Sequence, residues 1–192
     1  MSNQNLSANK LTRTSPNAYR PICVWLTGLS GSGKSTIASL LQRRLNDEGF
    51  NIFVLDGDRL RGGINVDLGF EDDDRKESVR RTAEIARLMV DAGLIIIVAL
   101  ISPFRADRAL ARSLFNNEEF IEVFIDASIE ECIRRDSKGL YAKALSGQLQ
   151  NFTGISSLYE PPVSPDVHVS TEIESPKEIV DKLLQVLRVN LC

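Results

Sequence analysis

Residues 22–36 read ICVWLTGLSGSGKST, and this stretch decides the fold. Gly28 to Ser35 (GLSGSGKS) fills every position of the phosphate-binding loop G-x-x-x-x-G-K-[ST]. The apolar run Ile22–Leu26 before it reads as a buried strand. The stretch after it, Ser35 to Glu48, sets Ile37, Leu40, Leu41 and Leu45 at helical spacing. A strand that turns through glycines into a helix aims its backbone N–H groups, and the positive end of the helix dipole, at phosphate oxygens. Gly28, Leu29, Ser30, Gly31, Ser32, Gly33, Lys34, Ser35 and Thr36 are therefore the candidate ATP-binding positions. Lys34 is placed to reach the β- and γ-phosphates, and Ser35 to offer its hydroxyl to Mg²⁺. The alternative is a glycine-rich turn that binds nothing. The complete motif in a strand–loop–helix setting argues against it.

Working outward, strand-like runs recur at Ile22–Thr27, Ile52–Leu55, Leu94–Ile101, Phe120–Asp126 and Val167–Val169. Helical patterns separate them at Lys34–Glu48, Arg75–Ala92, Arg105–Leu114, Ile129–Arg135 and Pro176–Leu187. Several strands are apolar throughout, so the expected fold is α/β: a mainly parallel five-stranded sheet with helices on both faces, in three layers. Ligands in such folds sit beyond the carboxyl ends of the strands. The informative residues fall there: the phosphate loop after the first run, DGDRLR after the second, ISPFR after the third. Residues 137–165 break the alternation, being rich in Gly, Ser and Pro and only briefly helix-like. A connection that long is read as a lid. A disordered surface excursion is the alternative, and Leu140, Tyr141, Phe152 and Tyr159 argue against it. The expected organisation is a flexible leader over 1–20 and one kinase domain over 21–192.

Length suits one core, and 43% hydrophobic with 26% charged residues is ordinary for a globular chain. A net charge of −3 argues against nucleic acid as a partner. Arginines nevertheless gather in the middle third, among them Arg61, Arg75, Arg105 and Arg108, where a small anion could be their target. Cys23, Cys132 and Cys192 form no metal or redox spacing and fit a reducing cytoplasm. His168 is expected to be structural. No stretch is long and apolar enough to span a membrane, and residues 1–20 lack an apolar signal core.

Phosphoryl transfer needs Mg²⁺, cationic groups around the moving phosphoryl and a group that positions the acceptor oxygen. Asp56 and Asp58 in LDGD are the candidate carboxylates. Two residues apart, they share a face if the strand persists, while Gly57 also permits a turn. One would hold a metal-bound water and the other the acceptor's proton, and the residues alone do not divide the roles. Ser35 and Asp56 are taken as the metal set. The three aspartates of FEDDDR (Phe70–Arg75) are expected to serve the start of the next helix rather than a metal.

Beyond the loop, the chain closely resembles the adenylylsulfate kinases, which use MgATP to phosphorylate the 3′-hydroxyl of adenosine 5′-phosphosulfate. The resemblance runs through LDGDRLRGGINVDLGF (55–70), DRKESVRR (74–81), DAGLIIIVALISPFRADR (91–108), EVFIDASIEECIRRDSKGLY (122–141) and NFTGISSLYEPP (151–162). It implies that Phe70 and Phe152 sandwich the acceptor's adenine. It implies further that Arg61 and Arg75 bind the phosphosulfate and that Asp58, Ser78, Ile101, Lys138 and Leu140 complete that pocket. Ser102 is the family's proposed phosphoserine position. Direct in-line transfer is preferred on chemical grounds, because a serine ester needs its own base and a second displacement. The catalytic set is then Lys34, Asp56, Asp58 and Ser102, and the resemblance also implies a homodimer. Departures from the family pattern gather in the acceptor site and lid. They are Ser78 in place of Asn, Arg59 and Gly62 in place of Asn and His, Ser137 in place of Pro, Asn151 in place of Gly, and Ser156–Leu158. The competing readings are a kinase for another small anionic hydroxyl compound and a nucleotide-binding regulator without turnover.

Overall fold

The computed structural model describes residues 19–191, so the expected leader lies almost wholly outside the described residues. Five strands form one sheet: β1 (Cys23–Thr27), β2 (Ile52–Asp56), β3 (Ile95–Ala99), β4 (Phe120–Asp126) and β5 (Val167–Ser170). Their spatial order is β2-β3-β1-β4-β5, and every pairing is parallel. Val24 of the central strand lies between Ile97 and Ile121 in register. Every residue of β1 and β3 is buried, which explains why these runs are apolar without alternation.

Side chains of successive strand residues leave on opposite faces and build two cores. Val24, Leu26, Ile95 and Ile97 pack with Ile37, Leu41 and Leu45 of α1 (Lys34–Asp47) and Ile179, Leu183 and Leu187 of α7 (Pro176–Leu191). On the other face, Cys23, Trp25, Ile96 and Val98 meet Val79, Ala83 and Ala86 of α3 (Asp72–Asp91) and Ala111 of α4 (Arg105–Ser113). The expected three-layer α/β architecture is present.

Some local expectations change. The third strand ends at Ala99 rather than Ile101, because the chain turns through Ser102 with a left-handed φ of 41°. A short helix α2 (Gly57–Arg61) follows β2 directly; Asp56 caps it, its Oδ1 accepting the Asp58 N–H at 3.0 Å. The strand therefore does not persist through Asp58, and the two carboxylates belong to different elements. The helix α3 begins at Asp72, earlier than Arg75, with Glu71 as N-cap in a reciprocal capping box with Asp74. Asp72, Asp73 and Asp74 fill its first turn, where the dipole favours them. After α5 (Ile129–Arg135), residues 137–165 contain a helix, α6 (Leu140–Leu145). They also bury Tyr141, Ala144 and Phe152 against Ala127 and Cys132. Among the described residues, no helix is long and apolar enough to cross a membrane.

Candidate active site

One cavity of about 870 Å³ opens at the carboxyl ends of the strands. Its walls come from the loop between β1 and α1, from α2 and α3, from the turn after β3 and from the start of residues 137–165. Gly28 begins the phosphate loop with φ 151°, and a Cβ there would lie 2.3 Å from the Ile125 carbonyl oxygen, so only glycine fits against β4. Ser30, Gly31, Gly33, Lys34, Ser35 and Thr36 line the cavity. Gly28 and Ser32 do not line it, and Leu29 instead faces a shallower cleft beside Ile129 and residues 154–159.

At the phosphate end, Lys34 donates to the carbonyls of Gly28 (2.9 Å) and Leu29 (2.7 Å), so its ammonium closes the loop on itself. Burial pulls this ammonium down to about 8, against a smaller upward pull from Cys132, Asp56 and Asp58. Ser35 Oγ donates to Asp56 Oδ2 at 2.7 Å. A hydroxyl and a carboxylate side by side, next to a phosphate cradle, are the oxygen donors with which Mg²⁺ binds while keeping waters and nucleotide oxygens as its other ligands. Among the described residues, no cluster of three or more His, Cys, Asp or Glu forms an all-protein metal cage.

The other end is cationic. Arg61 and Arg75 line the wall with Ser78 and Val79, Arg75 and Ser78 being one turn apart on α3. Burial lowers both guanidinium pKa values, with Arg61 adding to the effect at Arg75. Asp58 forms an ion pair with Lys138 across the cavity mouth. Ile101 and Ser102 close the floor. Ser102 is 2% exposed; its Oγ accepts the Trp25 indole N–H at 3.1 Å, and its carbonyl accepts Arg108 at 2.6 Å. Ser78 Oγ accepts from the Asn65 amide at 2.9 Å.

Asp56, Asp58, Arg61, Arg75, Ser78, Ile101, Ser102, Lys138 and Leu140 are thus brought to one cavity with the phosphate loop. Phe70 and Phe152 do not line it. Arg61 covers the half-exposed Phe70 ring at 4.2 Å from its centroid. Phe152 is buried edge-on against Tyr141 at 4.9 Å. Tyr141 in turn donates to the Ser30 carbonyl at 2.8 Å, tying that cluster to the phosphate loop. Asn151 donates from its side chain to Glu71 (2.7 Å), and its carbonyl accepts Arg75. Sequence reasoning missed Arg135, Thr171 and Pro176, which line the nucleotide-loop side of the cavity. Arg135 donates to the Thr171 hydroxyl and carbonyl, both at 2.9 Å. Their one available signal was position, since each lies near where the chain leaves α5 or β5 at the ligand-binding edge.

Residues 20–170 match the family model described as adenylylsulphate kinase. The chain is 53% identical over 180 residues to the bifunctional enzyme NodQ of Rhizobium sp., a match covering 94% of this chain and 28% of that protein. It thus spans little more than a quarter of the length of such bifunctional relatives. It is 50% identical over 184 residues to the adenylyl-sulfate kinase of Pseudomonas aeruginosa, covering 96% of this chain and 94% of that one. The solved structure of the Mycobacterium tuberculosis APS kinase CysC in complex with AMPPNP and APS is similar at a TM-score of 0.85 and 45% identity, over 88% of this chain and 98% of that one.

Proposed function

The chain belongs to the adenylylsulphate kinase family, and from that premise we propose that it transfers the γ-phosphoryl group of ATP to the 3′-hydroxyl of adenosine 5′-phosphosulfate, giving ADP and 3′-phosphoadenosine 5′-phosphosulfate. The observation that carries this reading is that a complete phosphate loop and the Arg61, Arg75 and Lys138 cations share one cavity. A nucleotide and an anionic acceptor can therefore meet inside it.

The loop amides and Lys34 hold the triphosphate and stabilise charge on the transferring phosphoryl. Ser35 and Asp56 would hold Mg²⁺, which would supply positive charge to offset that of the triphosphate. Asp56 is engaged by Ser35 and by the start of α2, so Asp58, once Lys138 turns to the acceptor's anion, is the carboxylate that accepts the acceptor's hydroxyl hydrogen. Arg61 and Arg75 offer planar forks to the phosphosulfate, with Lys138 as a third cation. The acceptor's adenine takes the Phe70 face from Arg61, and the released guanidinium turns to the anion. The buried Ser102 hydroxyl, already engaged by Trp25, favours direct in-line transfer with Ser102 shaping the floor. Residues 137–165 act as the lid over a single kinase domain spanning 21–192. The free, buried Cys23 and Cys132 support a reducing, cytoplasmic setting, and the protein works as a homodimer, for which sedimentation is the check.

The deciding experiment is a coupled ADP-release assay with MgATP, with and without adenosine 5′-phosphosulfate, and the product identified by mass. Acceptor-dependent turnover to the 3′-phosphorylated product is expected. ATP binding with no turnover, or turnover only on a different hydroxyl anion, would overturn the assignment.

A further inference from the structure

Arg108, on α4, is 3% exposed and donates to three separate parts of the molecule. Its Nε reaches Glu122 of β4 at 2.8 Å, and its two terminal nitrogens reach the carbonyls of Ser102 (2.6 Å) and Glu160 (2.7 Å). Glu122 balances the charge of the buried guanidinium, whose remaining N–H donors also need partners. Here two of the donations go elsewhere, one to the floor of the cavity and one to the tail of residues 137–165.

The Ser102 end is a conformation that needs holding, since a non-glycine residue at φ 41° is disfavoured. The other end is held by the same neighbourhood. The Glu160 N–H donates to the Pro103 carbonyl at 2.9 Å, and Arg105 Nε donates to the Pro161 carbonyl at 2.7 Å. Thr27 Oγ1 donates to the Ile101 carbonyl at 2.7 Å and lies 3.1 Å from the Tyr159 hydroxyl. The cavity floor and the root of the 137–165 segment therefore form one hydrogen-bonded unit, with the Arg108 fork spanning it. A lysine, a point charge without the fork, cannot serve all three acceptors.

We propose that Arg108 is a positioning residue: it holds Ile101 and Ser102 in the geometry that seats the acceptor and links that geometry to the root of the lid. The acceptor's identity rests on the proposed function; the mechanical link does not. Arg108→Lys should raise KM for adenosine 5′-phosphosulfate roughly 10-fold or more and lower kcat, with KM for ATP nearly unchanged, as misplacement on the acceptor side alone predicts. The same variant should speed amide hydrogen exchange in 101–105 and 156–161 together. Glu122→Gln, which keeps an acceptor oxygen for Arg108 but removes the charge that it offers Arg108 and Arg112, should lower Tm while leaving both KM values and the exchange of those segments unchanged. If Arg108→Lys behaves like Glu122→Gln, or raises both KM values equally, the proposal fails.

A wild-type measurement guards against a variant that does not fold. Adenosine 5′-phosphosulfate alone should slow exchange in 101–105 and 156–161 together, and slowing in only one of them would overturn the link. If the wild type shows no turnover with this acceptor, the proposed function fails, while exchange in Arg108→Lys still decides the mechanical link.

Discussion

Phe70 and Phe152 were read as a pair, yet they sit in different physical settings, and their substitution should separate them. Phe70 is 46% exposed with Arg61 on its face, so Phe70→Ala removes a platform and little packing. Its expected result is a rise of about 5- to 10-fold in KM for the acceptor, the size of one lost aromatic contact, with ATP kinetics and Tm unchanged. Phe152 is packed on Tyr141, which holds the Ser30 carbonyl. Phe152→Ala should therefore cost about 3–5 kcal/mol of stability and raise both KM values. Equal, acceptor-only effects from the two substitutions in steady-state kinetics would restore the symmetric sandwich. Lys34 gives a pH signature. With its pKa pulled down to about 8, the free protein carries the ammonium below that pH and loses it above. Triphosphate binds the charged form, so KM for ATP should be low and flat up to pH 8 and rise beyond it. A KM profile flat to pH 9.5 would rule out this titration. Asn151 adopts a left-handed φ of 54°, a region that Asn tolerates better than most other side chains.

Elements are joined here by side chains that act across the sequence. The α4 N-terminus has no capping side chain of its own; Glu160, distant in sequence, accepts the Arg105 N–H at 2.8 Å. Glu160→Ala should cost about 1 kcal/mol, the usual value of a helix cap, and Tm should fall by about 2–4 °C in a chain of this size. An unchanged melting curve would mean water caps the helix equally well. The same example shows what was legible beforehand. The strand–loop–helix unit and the parallel sheet could be read because local apolar runs and a complete glycine motif specify them without distant partners. Two short helices could not. The helix α2 depends on Asp56 accepting the Asp58 N–H, and LDGD reads equally well as a strand end. The helix α6 is too short for periodicity to show, and burial of Tyr141 and Ala144 holds it in place. Arg61, Arg75 and Lys138 were legible through the family resemblance, whereas Arg135 and Thr171 became visible only when the strand ends were brought together, and Arg108, expected to face a small anion, proved to lie outside the cavity lining.

Across the whole molecule, the sheet brings the phosphate loop and the Arg61 and Arg75 wall, which are far apart in sequence, to one cavity at its carboxyl end, and the Asp58–Lys138 pair joins the two sides of the cavity mouth. Both partners are largely exposed, so the pair contributes no more than about 1 kcal/mol and yields readily to a bound anion. Its consequence is economy of fuel. On the function proposed above, the pair keeps the Asp58 carboxylate occupied by Lys138 and so unable to orient a water toward ATP until an acceptor arrives. When the acceptor's anion draws Lys138 away, Asp58 is released at the moment a legitimate hydroxyl arrives. Lys138→Met should therefore raise acceptor-independent ADP release several-fold above wild type, and an unchanged background rate would show that the pair does not guard against wasted ATP. If that background rate does rise, the anionic substrate would itself be the key that separates productive transfer from idle hydrolysis.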